Sequence, residues 1–387
     1  ANVSPLAVYR HAAKADSVQQ RRPNVVLIMM ESMSAKFMKH FGQSETLTPF
    51  LDSLYTRSIS FRNFYSAGIH TNHGLYATLY SFPAMMKRNL MKGSVIPRYS
   101  GLPTVLKENG YYNLFFMTHE GQYDNMNAFF RTNGYDEVFS QEDYPADKVV
   151  NSFGVQDDFL YDYAIPVLNQ RAATGQPFFA TLLSISNHPP YVIPPFFHPK
   201  TSEPEMQIVE YADWALRQFF EEARKQPWFD NTIFVLEGDH GKLVGDAECE
   251  LPESYNHIPL MIYSSRIQPE EKTAFGGQVD IQPTILGLLN IDYLQNNFGV
   301  DLLKEERPCM FYTADNMVVG RNDTLLYLYN YETQQELTYD IGNGKLNAVP
   351  MDDSFLPLKE YSFSMLQSAE FLVKHGKTLN SIPFTQQ

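Results

Sequence analysis

Short apolar runs alternate along this chain with polar segments that carry apolar residues at helical spacing. Apolar, β-branched runs bounded by polar residues predict buried strands, and the segments between them predict amphipathic helices. The predicted strands cover residues 24–30, 59–65, 112–118, 177–186, 232–237 and 258–264. The predicted helices cover residues 48–57, 74–81, 102–109, 154–172, 206–225 and 280–289. This alternation predicts an α/β fold with a mostly parallel central sheet and helices on both faces.

The pattern changes at both ends of the chain. Residues 1–22 are polar and weakly helical, and we interpret them as an N-terminal linker or helical segment before a main domain at 23–303. Beyond that domain, the predicted strands are short and cover residues 310–313, 316–319, 324–329 and 337–340, with a turn at 320–323. A helix predicted at 355–374 completes a small C-terminal α+β subdomain at 304–387.

Composition narrows the classes of function. The 387 residues are 44% hydrophobic, which is typical of a folded globular protein, and the net charge of −14 argues against nonspecific nucleic-acid binding. The two cysteines, Cys249 and Cys309, lack a Cys-x-x-Cys spacing and form either one disulfide or two ordinary thiols. Every apolar run is shorter than the roughly 18–20 residues that a membrane-spanning helix needs.

Ligand-type side chains follow two of the predicted strands. Glu31 comes directly after the first strand, and Asp239 and His240 come just after the strand at 232–237. Ligands of α/β sheets bind at the carboxyl ends of strands, so we expect these three side chains to converge on one metal ion. The alternative is that Glu31 and Asp239 each cap a helix.

The segment 70–74, which contains Thr71, leads into the helix that is predicted after the second strand. Thr71 would lie near the positive end of the helix dipole, where a hydroxyl can attack an anionic phosphorus or sulfur ester. Its pKa is too high for it to react unaided, and a bound divalent cation would lower that pKa. The alternative role for Thr71 is an ordinary N-cap.

Three histidines adjoin predicted strands. His188 follows the strand at 177–186, so it could bind an anionic substrate or donate a proton; the alternative is a loop histidine bonded to backbone. His119 also ends a strand, and we expect it to line the pocket. His257 precedes a strand, which places it toward an amino end and predicts a structural role.

Several motifs in a fixed order resemble the lipoteichoic acid synthase and phosphoglycerol transferase branch of the alkaline phosphatase/sulfatase superfamily. The similarity runs over about residues 24–300. The motifs that carry it lie at residues 23–32, 48–54, 134–136, 154–157, 230–241 and 279–286.

The resemblance implies a sulfatase-like fold and one divalent metal ion bound by Glu31, Thr71, Asp239 and His240, with Thr71 as the nucleophile. It also implies a substrate-contacting role for His188. By family analogy Mn²⁺ ranks first, with Mg²⁺ and Zn²⁺ as alternatives. Members of the family are usually anchored by transmembrane helices that precede an extracytoplasmic catalytic domain, so we expect this chain to be such a domain without its membrane region.

Two departures limit the analogy. The Cys/Ser-x-Pro-x-Arg motif that sulfatases mature to formylglycine is absent, which disfavours sulfate-ester hydrolysis. Lipoteichoic acid synthases carry a Phe-Trp-Asn-Arg stretch whose arginine helps to hold glycerophosphate, whereas residues 123–127 here contain neither Trp nor Arg. The identity of the transferred head group therefore stays open.

These observations lead to a functional hypothesis. The chain is expected to transfer phosphoglycerol from a phospholipid such as phosphatidylglycerol to a hydroxyl of a glycan or polyol-phosphate polymer, through a phosphothreonine at Thr71. One alternative is a phosphodiesterase, in which water takes the second step. Another is a phosphoethanolamine transferase. Those enzymes typically have several disulfides, and the two cysteines of this chain fit that pattern poorly. A rival of another class is an inactive module that binds a lipid or glycan.

Overall fold

The structure, a computed structural model, describes residues 8–10 and 22–380 of the chain. The strands in these residues are β1 (Val8–Arg10), β2 (Asn24–Met30), β3 (Ile59–Tyr65), β4 (Tyr112–Phe116), β5 (Glu137–Phe139), β6 (Val149–Asn151), β7 (Gly154–Val155), β8 (Phe178–Leu183), β9 (Thr232–Gly238), β10 (Leu260–Tyr263), β11 (Glu270–Gly277), β12 (Tyr293–Gln295), β13 (Met310–Thr313), β14 (Met317–Arg321), β15 (Leu325–Asn330), β16 (Gln335–Gly342) and β17 (Lys345–Ala348). The α-helices are α1 (Pro49–Tyr55), α2 (Thr71–Tyr80), α3 (Leu102–Glu108), α4 (Met126–Thr132), α5 (Asp157–Ala173), α6 (Pro204–Ala223), α7 (Ile281–Leu288) and α8 (Leu356–Lys374).

Eight strands form the central sheet, in the order β11-β3-β10-β9-β2-β8-β4-β5. Only β10 runs against its neighbours, so the predicted mostly parallel sheet is confirmed. The two edge strands, β5 and β11, were not predicted. Edge strands are partly exposed and carry polar residues, which weakens the apolar pattern that identifies a strand.

The sheet is covered by helices on both faces, as predicted. Successive side chains of a strand point to opposite faces. In β2, Val25 and Leu27 pack into the layer formed by α2, α3, α4 and α7, whereas Val26 and Ile28 pack into the layer formed by α1, α5 and α6. Because β2 is buried on both faces, its sequence is a continuous apolar run rather than an alternating one.

The carboxyl ends of three strands lie at the same edge of the sheet. Neighbouring strands β2 and β9 are parallel and in register, with Met30 opposite Gly238. Strand β3 points the same way, since both it and β9 are antiparallel to β10. The residues that follow β2, β9 and β3 therefore emerge beside one another.

His257 precedes β10, the strand that runs against its neighbours, so its predicted position relative to the site was wrong. The amino end of β10 lies at this same edge, so the position of His257 alone does not exclude a functional role. The His257 ring stacks on Tyr65 with 5.1 Å between centroids, and its Nε2 lies 2.7 Å from the Arg62 carbonyl oxygen. These contacts agree with the predicted structural role.

The C-terminal part contains a five-stranded antiparallel sheet, β13-β14-β15-β16-β17, against which α8 packs. The predicted α+β subdomain is confirmed, but the predicted turn was wrong in part, because Gly320 and Arg321 belong to β14. Cys249 and Cys309 are free thiols. No helix within residues 8–10 and 22–380 combines the length and apolarity needed to span a bilayer.

Boundary predictions at the two ends have different outcomes. Within the N-terminal 1–22 segment, residues 8–10 form a strand paired with β12 instead of a helix. Residues 1–7 and 11–21 lie outside the described part of the chain, as do 381–387 of the C-terminal subdomain. The domain limits at 22/23 and 303/304 stay predictions.

One buried ion pair joins the main domain to α8. The Arg307 guanidinium donates through Nε to Asp280 Oδ2 at 2.8 Å. The side chain of Arg307 is 2% exposed and that of Asp280 is 0% exposed. The same guanidinium donates to the Tyr361 hydroxyl at 2.6 Å and to the Phe298 carbonyl at 2.7 Å. Removing one partner would leave the other charge buried without compensation.

We therefore predict that R307M lowers the free energy of unfolding by about 3–5 kcal/mol, as is typical for breaking a buried pair. R217M is the matched control, because Arg217 forms an exposed ion pair with Glu221 in α6. The control should change stability by about 1 kcal/mol or less. Urea denaturation measures both, and equal effects of the two substitutions would contradict the role given to Arg307.

Candidate active site

Glu31, Asp239 and His240 converge at the carboxyl edge of the sheet. Glu31 is 1% exposed and Asp239 0% exposed, and His240 Nε2 lies 3.6 Å from an oxygen of each carboxyl group. One ligand atom from each of the three side chains falls within 4.8 Å of the others. The in-register ends of β2 and β9 produce this convergence, because they place the two carboxyl groups on adjacent backbones.

Thr71 joins this cluster from the first turn of α2. Its Oγ1 lies 2.8 Å from Asp239 Oδ2 and 3.2 Å from Glu31 Oε2. The N-cap of α2 is His70, so the Thr71 hydroxyl is not used as a cap. The structure thus brings together all four residues to which the sequence assigned metal binding.

Close packing fixes the distance between α2 and the end of β9. Gly74 faces Asp239, and a Cβ atom at Gly74 would lie 2.3 Å from the Asp239 carbonyl oxygen. Gln278 spans the same gap, since its Nε2 donates to the Asp239 carbonyl at 2.8 Å and its Oε1 accepts from the Ala67 amide at 2.9 Å. Gln278 thereby connects the loop before Thr71 to Asp239, which directly follows β9.

The C-terminal subdomain also holds the loop that leads to Thr71. The Thr313 amide donates to the Ala67 carbonyl at 2.9 Å, and the His70 ring lies 2.6 Å from Asp315 Oδ1. Asn256 Nδ2 is within hydrogen-bonding distance of the Ser66 and Thr313 carbonyls, at 3.3 and 3.2 Å. The nucleophile candidate therefore depends on contacts from both parts of the fold.

Burial and like charge shape the electrostatics of the carboxyl pair. Burial and the neighbouring Glu31 carboxylate raise the pKa of Asp239 well above its ordinary range. Burial acts in the same direction on Glu31, but His240 and donated hydrogen bonds, including one from Ser32, bring the pKa of Glu31 below its ordinary range. Without a cation, ionising both carboxyl groups at once costs a large free energy.

The donor set fits a divalent cation. Among the described residues, His240 is the only basic side chain within 4.0 Å of either carboxyl group. Two carboxylates, one hydroxyl and one imidazole provide three hard oxygen atoms and one nitrogen, which suits Mn²⁺ or Mg²⁺ and also admits Zn²⁺. A bound cation would compensate both buried negative charges.

The two other predicted histidines, His119 and His188, interact electrostatically with the Glu31 carboxylate. His119 is 2% exposed, and burial lowers its pKa. The ring of His188 packs on Phe153 with 4.1 Å between centroids, and its Nδ1 lies 2.6 Å from the Pro189 carbonyl, which leaves Nε2 for a ligand.

Sequence reasoning missed two polar residues, Lys242 and Asn187, that hydrogen bonds connect to the carboxyl pair through Ser32. Lys242 Nζ donates to Asn187 Oδ1 at 2.6 Å, and Asn187 Nδ2 donates to the Ser32 carbonyl at 3.2 Å. Lys242 stands two residues after His240, and a cation so near a metal-ligand motif was a usable signal. Asn187 gave no comparable signal, because a buried amide has no characteristic sequence pattern.

This chain is similar in sequence to known proteins. The family model described as Sulfatase matches residues 23–291. Lipoteichoic acid synthase 2 of Bacillus subtilis is 24% identical over 315 residues, covering 73% of this chain and 47% of that protein. Phosphoglycerol transferase I of Xanthomonas campestris is 25% identical over 322 residues, covering 78% of this chain and 46% of that protein. The chain spans about half the length of these curated relatives.

Solved structures agree with the sequence comparison. A protein in the alkaline phosphatase superfamily from Vibrio parahaemolyticus superimposes with a TM-score of 0.86 and 27% identity, covering 98% of this chain and 92% of that one. The lipoteichoic acid synthase LtaP from Listeria monocytogenes superimposes with a TM-score of 0.78 and 21% identity, covering 92% and 93% of the two chains. Together with the family match over residues 23–291, these similarities establish that the chain belongs to the sulfatase family within the alkaline phosphatase superfamily.

Proposed function

We propose that this chain is a metal-dependent phosphotransferase that transfers phosphoglycerol from a phospholipid to a hydroxyl group through a phosphothreonine intermediate. The observation that carries the proposal is the position of Thr71 Oγ1, 2.8 Å from Asp239 Oδ2 and 3.2 Å from Glu31 Oε2 at the start of a helix. A hydroxyl in this position is close to both buried carboxyl groups and to the positive end of the helix dipole.

In the first step, Thr71 Oγ1 attacks the phosphorus of the lipid phosphodiester. An oxygen–phosphorus bond forms to Thr71, and the bond from phosphorus to the diacylglycerol oxygen breaks. The hydroxyl hydrogen of Thr71 passes to the carboxyl oxygens that already accept it, and His188 donates a proton to the departing diacylglycerol oxygen. In the second step, the acceptor hydroxyl attacks phosphorus and gives its proton to His188, the oxygen–phosphorus bond to Thr71 breaks, and the Thr71 oxygen takes back the hydrogen held by the carboxyl pair. In its alternative role, His188 binds a phosphoryl oxygen, and the carboxyl pair relays the Thr71 proton to the departing oxygen.

Glu31, Asp239, His240 and Thr71 would hold the divalent cation, with Mn²⁺ preferred by family analogy. When bound, the cation supplies Lewis acidity that lowers the pKa of a coordinated hydroxyl and polarises the phosphorus ester. His119 would line the substrate pocket. Membership of the sulfatase family does not imply sulfate-ester hydrolysis by this chain. Thr71 occupies the position where sulfatases need Cys or Ser, and the two cysteines, Cys249 and Cys309, lie elsewhere in the sequence.

The names of the relatives support the choice of substrates. One is a lipoteichoic acid synthase and another a phosphoglycerol transferase, so phosphatidylglycerol is the proposed donor and a glycan or polyol-phosphate polymer the proposed acceptor. Such a donor requires a membrane, and we place the domain on its extracytoplasmic side, anchored through a transmembrane region of the whole protein. The net charge of −14 disfavours nucleic acid as a partner.

Replacing the nucleophile tests the covalent step. We predict that T71A lowers diacylglycerol release from phosphatidylglycerol on the order of 10⁴-fold or more, because no hydroxyl remains to attack. T71S keeps a hydroxyl and should retain much more activity than T71A. Mass spectrometry of the quenched parent protein should find a glycerophosphate adduct on the peptide that contains Thr71. Release of diacylglycerol by T71A at the parental rate would eliminate the covalent mechanism.

Product analysis separates transfer from hydrolysis. With a glycan or glycerol-phosphate acceptor present, the proposed transferase should yield an extended acceptor as the main product. Free glycerol phosphate as the main product at every acceptor concentration would instead identify a phosphodiesterase.

Metal binding is tested independently of turnover. We predict that D239N and E31Q lose stoichiometric Mn²⁺, whereas E237Q retains it. Glu237 is the matched control because it is also a buried carboxyl at the end of β9, but its partner is Thr78. Free Mn²⁺ at about 100 times its dissociation constant should stabilise the parent protein by about 2.7 kcal/mol. Metal analysis and thermal unfolding measure this, and Mn²⁺ retained by D239N would contradict the assignment.

The role of His188 can be separated from metal binding. We predict that H188A lowers kcat/KM for the lipid donor by about 10²-fold, since it removes a proton donor or phosphate ligand. Its Mn²⁺ content should not change. H198A removes an exposed histidine and should have no effect on kcat/KM. An H188A protein with parental kinetics would show that His188 is only a loop residue.

A further inference from the structure

The backbone of Lys242 is fixed by hydrogen bonds. Ser34 Oγ accepts from the Lys242 amide at 2.9 Å, and its single hydrogen faces the Ser254 carbonyl at 2.7 Å and the Lys242 carbonyl at 3.0 Å. The neighbouring Gly241 amide donates to the Tyr255 carbonyl at 2.8 Å. The start of the Lys242 side chain is therefore held in place, although Lys242 follows the end of a strand and lies in a loop.

The ammonium group of Lys242 is also held at its far end. Nζ donates to Asn187 Oδ1 at 2.6 Å and to the Tyr191 hydroxyl at 3.0 Å. It lies 4.8 Å from the centroid of the Tyr191 ring and 5.5 Å from that of Phe37, positions that favour a positive charge over an aromatic face. A flexible lysine side chain is thus preorganised by three neighbours.

This ammonium has bonding capacity that its protein partners do not use. A lysine ammonium has three donors, and its two acceptors in the described part of the chain are both neutral oxygens. Removing the ammonium from water costs free energy, which an anionic ligand would offset.

Asn187 connects Lys242 to the proposed metal ligands. Asn187 is 1% exposed and donates to the Ser32 carbonyl at 3.2 Å. Ser32 in turn donates from its amide to Asp239 Oδ1 at 2.9 Å and from its hydroxyl to Glu31 Oε1 at 2.8 Å. The ammonium is therefore positioned, through two residues, relative to the carboxyl pair beside which the phosphoryl group would react.

We propose that Lys242 is a specificity-determining residue that binds an anionic phosphoryl oxygen of the substrate next to the metal site. This proposal rests on the proposed phosphotransferase function. The oxygen could belong to the reacting phosphodiester or to a neighbouring phosphate of a polyol-phosphate acceptor, and kinetics distinguish these two sources.

Direct binding is the first test. The probe is sn-glycerol 3-phosphate, titrated calorimetrically into the full Mn²⁺-loaded chain, with glycerol as the neutral comparison. K242M should weaken glycerol phosphate binding about tenfold or more, because it removes a charge-assisted hydrogen bond, whereas K242R should keep most of the affinity. K225M is the matched control, since Lys225 is exposed and paired with Glu222 just after α6. Parental affinity in folded K242M would overturn the proposal.

A second neutral variant protects the test against misfolding. K242Q keeps an amide donor that can reach toward Asn187, and thermal unfolding together with Mn²⁺ content shows which variants are intact. Loss of glycerol phosphate affinity in an intact neutral variant supports the proposal. Parental affinity in either intact neutral variant overturns it.

Kinetics then identify which phosphate Lys242 binds. A fall in kcat/KM for a soluble donor with a single phosphodiester assigns Lys242 to the reacting phosphate. Unchanged donor kinetics with a raised acceptor KM for glycerol phosphate, but not for glycerol, assigns it to the acceptor.

The failure of this proposal can be told apart from the failure of the proposed function. If the parent forms no adduct at Thr71 and transfers no head group, the function fails whatever the behaviour of Lys242. If transfer through Thr71 is established and K242M still binds glycerol phosphate as the parent does, only the role of Lys242 is overturned.

Discussion

Two carboxyl groups that repel each other meet in the protein interior, and this contact sets the requirements for the rest of the site. Glu31 and Asp239 are 1% and 0% exposed, and the parallel register of β2 and β9 places them on adjacent backbones. Burial raises the free energy of each negative charge, and proximity raises it further. His240 and Thr71 bring an imidazole nitrogen and a hydroxyl oxygen to the same edge, which completes the donor set that a divalent cation would need.

The position of Thr71 depends on more of the chain than the strand that precedes it. Gln278 ties its loop to the carbonyl of Asp239, and Thr313 of the C-terminal sheet binds the same loop at Ala67. The C-terminal subdomain is therefore part of the site's framework rather than an appendage. Asp280, two residues after Gln278, forms the buried ion pair with Arg307. Arg307 also donates to the Tyr361 hydroxyl, which extends this connection to α8. A change in the subdomain should accordingly alter the position of the Thr71 hydroxyl through its supporting loop.

The central strands and the metal-ligand candidates could be predicted because their signals are local. A strand buried on both faces is a continuous apolar run, and Glu31 follows such a run directly. The edge strands β5 and β11 lacked that signal because they are partly exposed. The turn assigned to 320–323 was wrong in part, because Gly320 and Arg321 lie in β14, and the burial of Arg321 beside Glu253 depends on a partner 68 residues away. Gln278 and Asn187 were missed because their contacts arise only from the tertiary fold.

The proposed chemistry requires a single cation site formed by Glu31, Thr71, Asp239 and His240. Anomalous diffraction from crystals of the full chain grown with Mn²⁺ would locate the bound ion. We expect one strong peak within coordination distance of the two carboxylates, the His240 imidazole and Thr71 Oγ1. A peak bound elsewhere, or no peak among these four residues at saturating Mn²⁺, would contradict the proposed site.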